Sequence, residues 1–153
     1  MKLMLATVLL LGGILCVAQG PKIAGGGGNG CPTVLRVRVV NAHNGKPVLL
    51  TVVKLNSLPV LALRAVSATD EHGVATFYIP EPLPPSVSIK VGGCWTMCSD
   101  GSGKTGDILQ LGKVDNNRCD KKGRLRGKFT AQPGELTVFA RPITIRDWFA
   151  GFR

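Results

Sequence analysis

From residue 33 to residue 40, apolar and polar positions trade places one by one. Thr33, Leu35, Val37 and Val39 alternate with Val34, Arg36, Arg38 and Val40. A repeat of two sends successive side chains to opposite faces, so the segment is predicted as a strand with one buried and one basic face. Residues 41–47 (NAHNGKP) follow, and Asn44-Gly45 suits a turn that needs positive φ. Residues 48–55 are apolar on both faces and rich in β-branched side chains, which predicts a central strand ended by the NSLP of 56–59. Residues 60–69 fit a strand or a helix. Asp70-Glu71-His72-Gly73 reads as a hairpin connection into residues 74–79, with Ala75, Phe77 and Ile79 on one face. Pro80, Pro82, Pro84 and Pro85 lack the N–H that a sheet ladder requires. Val87, Ile89 and Val91 then alternate with Ser86, Ser88 and Lys90.

After Gly92-Gly93 the pattern loosens. Residues 105–112 (TGDILQLG) are predicted as one or two helical turns, capped by Thr105 or Asp107 and stopped by Gly112. Residues 119–128 form a basic loop, and residues 135–141 the last clear strand. About seven short strands punctuated by turns, with no long helix between them, predict an all-β fold: an antiparallel β-sandwich.

The N-terminus carries a different signal. Lys2 precedes an apolar stretch over residues 3–17, and Cys16-Val17-Ala18 places small residues before an expected cut after Ala18. The stretch is shorter than the ~20 residues of a spanning helix, which weighs against a retained anchor. A lipid-modified Cys16 is disfavoured by Leu15, where a small residue is expected. The expected organisation is a signal peptide (1–18), a flexible Gly-rich leader (19–30), the sandwich (31–148) and a short tail (149–153). The expected location is secreted or periplasmic, with no membrane span after cleavage.

Composition narrows the class further. The chain has 153 residues, 44% of them hydrophobic, with 19 Lys and Arg against 9 Asp and Glu, giving a net charge of +10. These values exclude a large enzyme, a coiled coil, a polytopic membrane protein and a disordered chain. The few carboxylates and 2 His leave little material for acid/base or metal chemistry, so neither a cofactor nor a resident metal is expected.

Removal of Cys16 would leave Cys31, Cys94, Cys98 and Cys119. An even count in an exported chain points to two disulfides. Pairing of Cys119 with Cys94 or Cys98 would close the basic loop, leaving the other thiol for Cys31. A four-thiolate zinc site is the alternative, disfavoured by the oxidising compartment.

Two passages resemble a known family. VRVVNAHNGKPV at 37–48 and ATDEHGVATF at 68–77 look like the first strand, the Gly-x-Pro turn and the core hairpin of the carboxypeptidase regulatory-like domain. DILQLG at 107–112, NRC at 117–119 and PGELTVFARP at 133–142 are similar to small exported acidobacterial proteins that contain such a domain. The resemblance spans roughly residues 33 to 148. It implies a transthyretin-like sandwich and an accessory or adhesion role, and it carries over no catalytic residue. The Cys94-Trp95-Thr96-Met97-Cys98 segment departs from the family's pattern.

Several constellations invite chemistry. Gly101-Ser102-Gly103-Lys104-Thr105 resembles the end of a phosphate loop, but Cys98 stands where the loop's first glycine belongs; a flexible polar turn is the expectation. Ser67, His72 and Asp70 could compose a hydrolytic triad, and His43 lies in another turn, but no nucleophile elbow accompanies them. The basic charge carries more. Arg36, Arg38, Lys54 and Arg64 fall on predicted strands. Lys121, Lys122, Arg124, Arg126 and Lys128 crowd the loop after Cys119. They suit an anionic polysaccharide or another envelope protein, with Trp95 as the aromatic nearest to hand. Nucleic acid is not expected in that compartment, and one Tyr and two Trp supply few stacking surfaces. The expected role is therefore a non-catalytic envelope-associated module. A small exported hydrolase using a turn histidine and a subunit of a surface assembly stand as alternatives.

Overall fold

The computed structural model describes residues 32–58 and 63–150. The expected signal peptide and leader, Cys31 and the end of the tail lie outside them. The element order is β1 (Thr33–Asn41), β2 (Val52–Leu58), β3 (Arg64–Ala68), β4 (Val74–Ile79), β5 (Ser86–Val91), β6 (Trp95–Met97), β7 (Ser102–Lys104), α1 (Thr105–Leu111), β8 (Lys113–Val114), β9 (Glu135–Pro142) and α2 (Ile145–Ala150). Two sheets face each other. The first runs β4-β1-β9-β6, with β8 also on β9; the second runs β3-β2-β5-β7. The all-β sandwich expected from the alternation is the observed fold.

The core is the alternation made three-dimensional. Leu35, Val37 and Val39 of β1 meet Val53 and Leu55 of β2, Val87 and Ile89 of β5, and Leu136 and Val138 of β9. Ile108 of α1 closes the same cluster. Each such side chain contributes about 1.5–3 kcal/mol by leaving water.

The sheets are not purely antiparallel. β1 pairs antiparallel with β4 (Leu35↔Phe77) but parallel with β9 (Val37↔Leu136), and β8 is also parallel to β9. A tight turn forces antiparallel pairing only on strands it joins directly. β1 and β9 are separated by most of the domain and are free of that constraint.

Residues 64–68 are strand, because β2 offers them a full ladder from Val52↔Ala68 to Asn56↔Arg64. β2 starts later and ends later than its apolar run. Leu50 has φ 51, which breaks extension before Val52. Asn56 stays in the ladder between Arg64 of β3 and Ser88 of β5, and Ser57 stays in it opposite Val87 of β5. At the head of α1, Lys104 is the N-cap and makes no side-chain cap; the amide of the buried Thr105 instead donates to Pro85 O. The helix stops at Gly112 as expected, where a Cβ would lie 2.1 Å from Gln132 O. α2 was not anticipated and crosses the expected boundary between domain and tail. Its signal is Thr144-x-x-Asp147: the Asp147 carboxylate accepts Thr144 N–H at 2.7 Å and the Thr144 hydroxyl at 2.8 Å.

Candidate functional site

Val40 and Phe139, paired across β1 and β9, turn away from the space between the sheets. With Ala42 and Cys98 they form a second, smaller apolar cluster, joined by Val114, Cys119 and Phe129. The basic loop is fastened to this cluster at several points. Cys98 and Cys119 form a disulfide, and Cys98 N–H donates to Phe139 O at 2.7 Å. Leu125 is buried, and Phe129 meets Phe139 edge-on at 5.5 Å. The Asp120 side chain, only 4% exposed, accepts Leu125 N–H at 2.7 Å. That bond, followed by further loop amides and Arg124, holds the Asp120 carboxyl below its ordinary range.

The loop therefore stands as a stack of tight turns, with Gly123 N–H donating to Asp120 O and Arg126 N–H to Gly123 O. Its cations point outward. Lys121, Lys122, Arg124, Arg126 and Lys128 are all exposed. Arg124 lies 3.9 Å from Asp120, and the other four have no carboxylate partner among the described residues.

Two grooves flank Phe129. One, of about 500 Å³, is lined by Asn117, Lys121, Leu125, Arg126 and Phe139 among others. The other, of about 590 Å³, lies over the exposed side of β1 and β4 and includes Arg36, Arg38, His72, Thr76 and Glu135. Arg38 donates to both Glu135 oxygens, at 2.7 and 3.0 Å, and this contact raises the guanidinium's pKa further. Arg36 is exposed and has no carboxylate partner among the described residues. Beyond it, the register sets exposed Tyr78 opposite exposed Val34. Tyr78 was not among the expected site residues, although the alternation of 74–79 already placed it with Thr76 on the outward face.

The other expected residues have different surroundings. Trp95 is partly buried against the main core and lines neither groove. Cys94 is a free, exposed thiol, so the bridge expected to join the remaining cysteine to Cys31 is not found at Cys94. Ser67 sits on β3 in the second sheet and its hydroxyl turns to Ala68 O at 3.5 Å. Asp70 caps its turn, accepting His72 N–H at 2.8 Å and Val74 N–H at 2.9 Å. Those bonds, Val74 first, lower its pKa. Among the described residues no side-chain-to-side-chain hydrogen bond joins Ser67, His72 and Asp70. The His43 ring is exposed, and its backbone N–H is taken by Asn41. The segment 102–104 is edge strand β7, not a flexible turn, and Gly101 N–H donates to Asp115 at 2.6 Å. No cluster of three or more His, Cys, Asp or Glu suited to a metal occurs among the described residues. Comparison with protein families, curated proteins and solved structures finds no match.

Proposed function

We propose that this protein is an exported, non-catalytic binding module that holds an anionic polysaccharide of the envelope against the outer side of its first sheet. One observation carries the reading. Of the five loop cations only Arg124 has a carboxylate partner among the described residues, yet the loop bearing them is fastened by a disulfide and a buried leucine. A mobile loop would spend affinity on ordering itself; a fastened one presents its charges ready-made. Arg36 extends the cationic path along β1, and Tyr78 offers a ring face to a sugar. The carboxypeptidase regulatory-like resemblance is compatible with such an accessory role.

The test is titration of alginate, a polyuronate, at about 0.05 and 0.5 M salt, where screening lengths differ several-fold. Binding should weaken steeply at the higher salt. Replacing Lys121, Lys122, Arg124 and Arg126 together by Gln should abolish it, with stability changed by no more than about 0.5 kcal/mol per site. Binding that survives both changes rejects the reading.

A further inference from the structure

Where the chain crosses from the first sheet to the second, just before β2, it does something unusual. Val48 and Thr51 are buried, but Leu49 is 48% and Leu50 86% exposed. Leu50 has φ 51, a left-handed conformation that opposes a side chain with a Cβ. Two buried threonines enforce it. Thr69 Oγ1 donates to Val48 O at 2.7 Å and accepts Thr51 N–H at 3.0 Å. Leu50 N–H donates to Thr69 O at 3.1 Å, and Thr69 N–H to Thr51 O at 2.9 Å. Thr51 Oγ1 is itself tied to Gly92 O at 3.1 Å. The backbone is clamped on both sides of the leucine pair, which is thereby held out in water. A strained backbone that exposes large apolar side chains calls for a functional reason.

The neighbouring sheet face supplies it. Val52 and Val66 are exposed there, Val66 at 65%. Lys54 lies directly opposite Val66 on one side and Lys90 on the other. Like charges facing each other across strands repel. Arg64 adds a third cation. None of the three has a carboxylate partner among the described residues, and β2, β3 and β5 contain no Asp or Glu.

The geometry points to a docking face for an anionic phospholipid bilayer. Leu49 and Leu50 enter the boundary between headgroups and acyl chains, while Lys54, Arg64 and Lys90 meet lipid phosphates that relieve their repulsion. A second copy of the chain fits poorly, because a self-facing contact would bring these cations against one another. The inference is independent of the polysaccharide reading, which uses the opposite sheet.

The test is flotation of the protein, as recovered from an expressing bacterium, with vesicles of pure phosphatidylcholine or containing about one-third phosphatidylglycerol. Binding should favour the anionic vesicles by at least about tenfold. Leu49→Asn with Leu50→Asn keeps a residue that tolerates left-handed backbone and should weaken binding by about tenfold or more. Lys54→Gln with Lys90→Gln should do so comparably, at about fivefold per cation. The basic-loop quadruple variant should bind vesicles within about twofold of the parent, since its cations lie on the other sheet's side. The inference falls if anionic vesicles are not preferred, if either double variant binds like the parent, or if the loop variant loses vesicle binding. It also falls if the parent is a dimer that the leucine changes dissociate.

Discussion

Arg38 grips Glu135 with both prongs of its guanidinium across the parallel seam of β1 and β9, Nε to Oε1 at 2.7 Å and Nη2 to Oε2 at 3.0 Å. Glu135 is buried while Arg38 is partly open to water. Arg38→Met would leave a buried carboxylate without its cation. The expected cost is about 1–3 kcal/mol, below that of a fully buried pair because water screens the exposed partner. Converting Glu135 to Leu as well should recover most of it. Urea midpoints measure both, and a single variant as stable as the parent would refute the pair's contribution.

Gly73 closes the β3–β4 turn with φ 73, and a Cβ there would sit 2.8 Å from Pro47 Cβ and 2.9 Å from Val39 O. Gly73→Val should therefore cost at least about 2 kcal/mol, from left-handed strain plus the collision. Thermal unfolding reads this directly; an unchanged midpoint means that the turn can close another way.

The Cys98–Cys119 bridge closes a separation of 21 residues. Cys119→Ala should cost roughly 3 kcal/mol in the chain-entropy account. Alkylation of the native protein should modify exposed Cys94 and spare Cys98 and Cys119. Peptide mapping that finds Cys94 protected would contradict the arrangement.

Three carboxylates hold their protons less tightly in the fold than in the unfolded chain. Asp147 is lowered chiefly by Arg141 and then by Thr144, Asp120 by the Leu125 amide, and Asp70 by the Val74 and His72 amides. Below the unfolded carboxylate value of about 3.9, the unfolded chain takes up protons first, so stability falls as pH falls. Above that value their contribution is fully present. Urea midpoints between about pH 5 and 2 should drop, and Asp147→Asn should flatten the slope. An identical slope in the variant would remove Asp147 from the account.

The faces of β1, β4 and β5 were legible because alternation is local: each residue's neighbours along the chain decide which way it points. Gly73 and Gly112 were legible for the same reason. The parallel seam was not, since Arg38 and Glu135 are 97 positions apart and no turn links their strands. The late start of β2 depends on Thr51 and Thr69 bonding across 18 positions, which no periodicity reveals. In the basic loop the charges were plain, and so was the Cys119 bridge, which pairs with Cys98, one of the two partners expected; the buried Leu125 and Asp120 were hidden. Asp120 is a buried acceptor for the loop's own amides, which nothing in its local sequence signals. Trp95, the aromatic expected nearest the basic residues, is partly buried against the main core and lines neither groove. The even cysteine count suggested two bridges, yet Cys98 turns into the Phe139 cluster while Cys94 faces water.

The parallel pairing of the domain's first and last strands has a mechanical result. The chain enters β1 at Thr33 and leaves β9 at Pro142, at opposite ends of the seam. Tension between those points slides the two strands lengthwise, so the contacts from Arg36↔Glu135 to Asn41↔Ala140 share the load together. An antiparallel seam pulled the same way would peel open pair by pair. Stretching single molecules through residues 33 and 142 should thus show one high-force rupture, and a low, gradual extension would contradict it. A module anchored at one side and laden at the other would bear its burden along its stiffest direction.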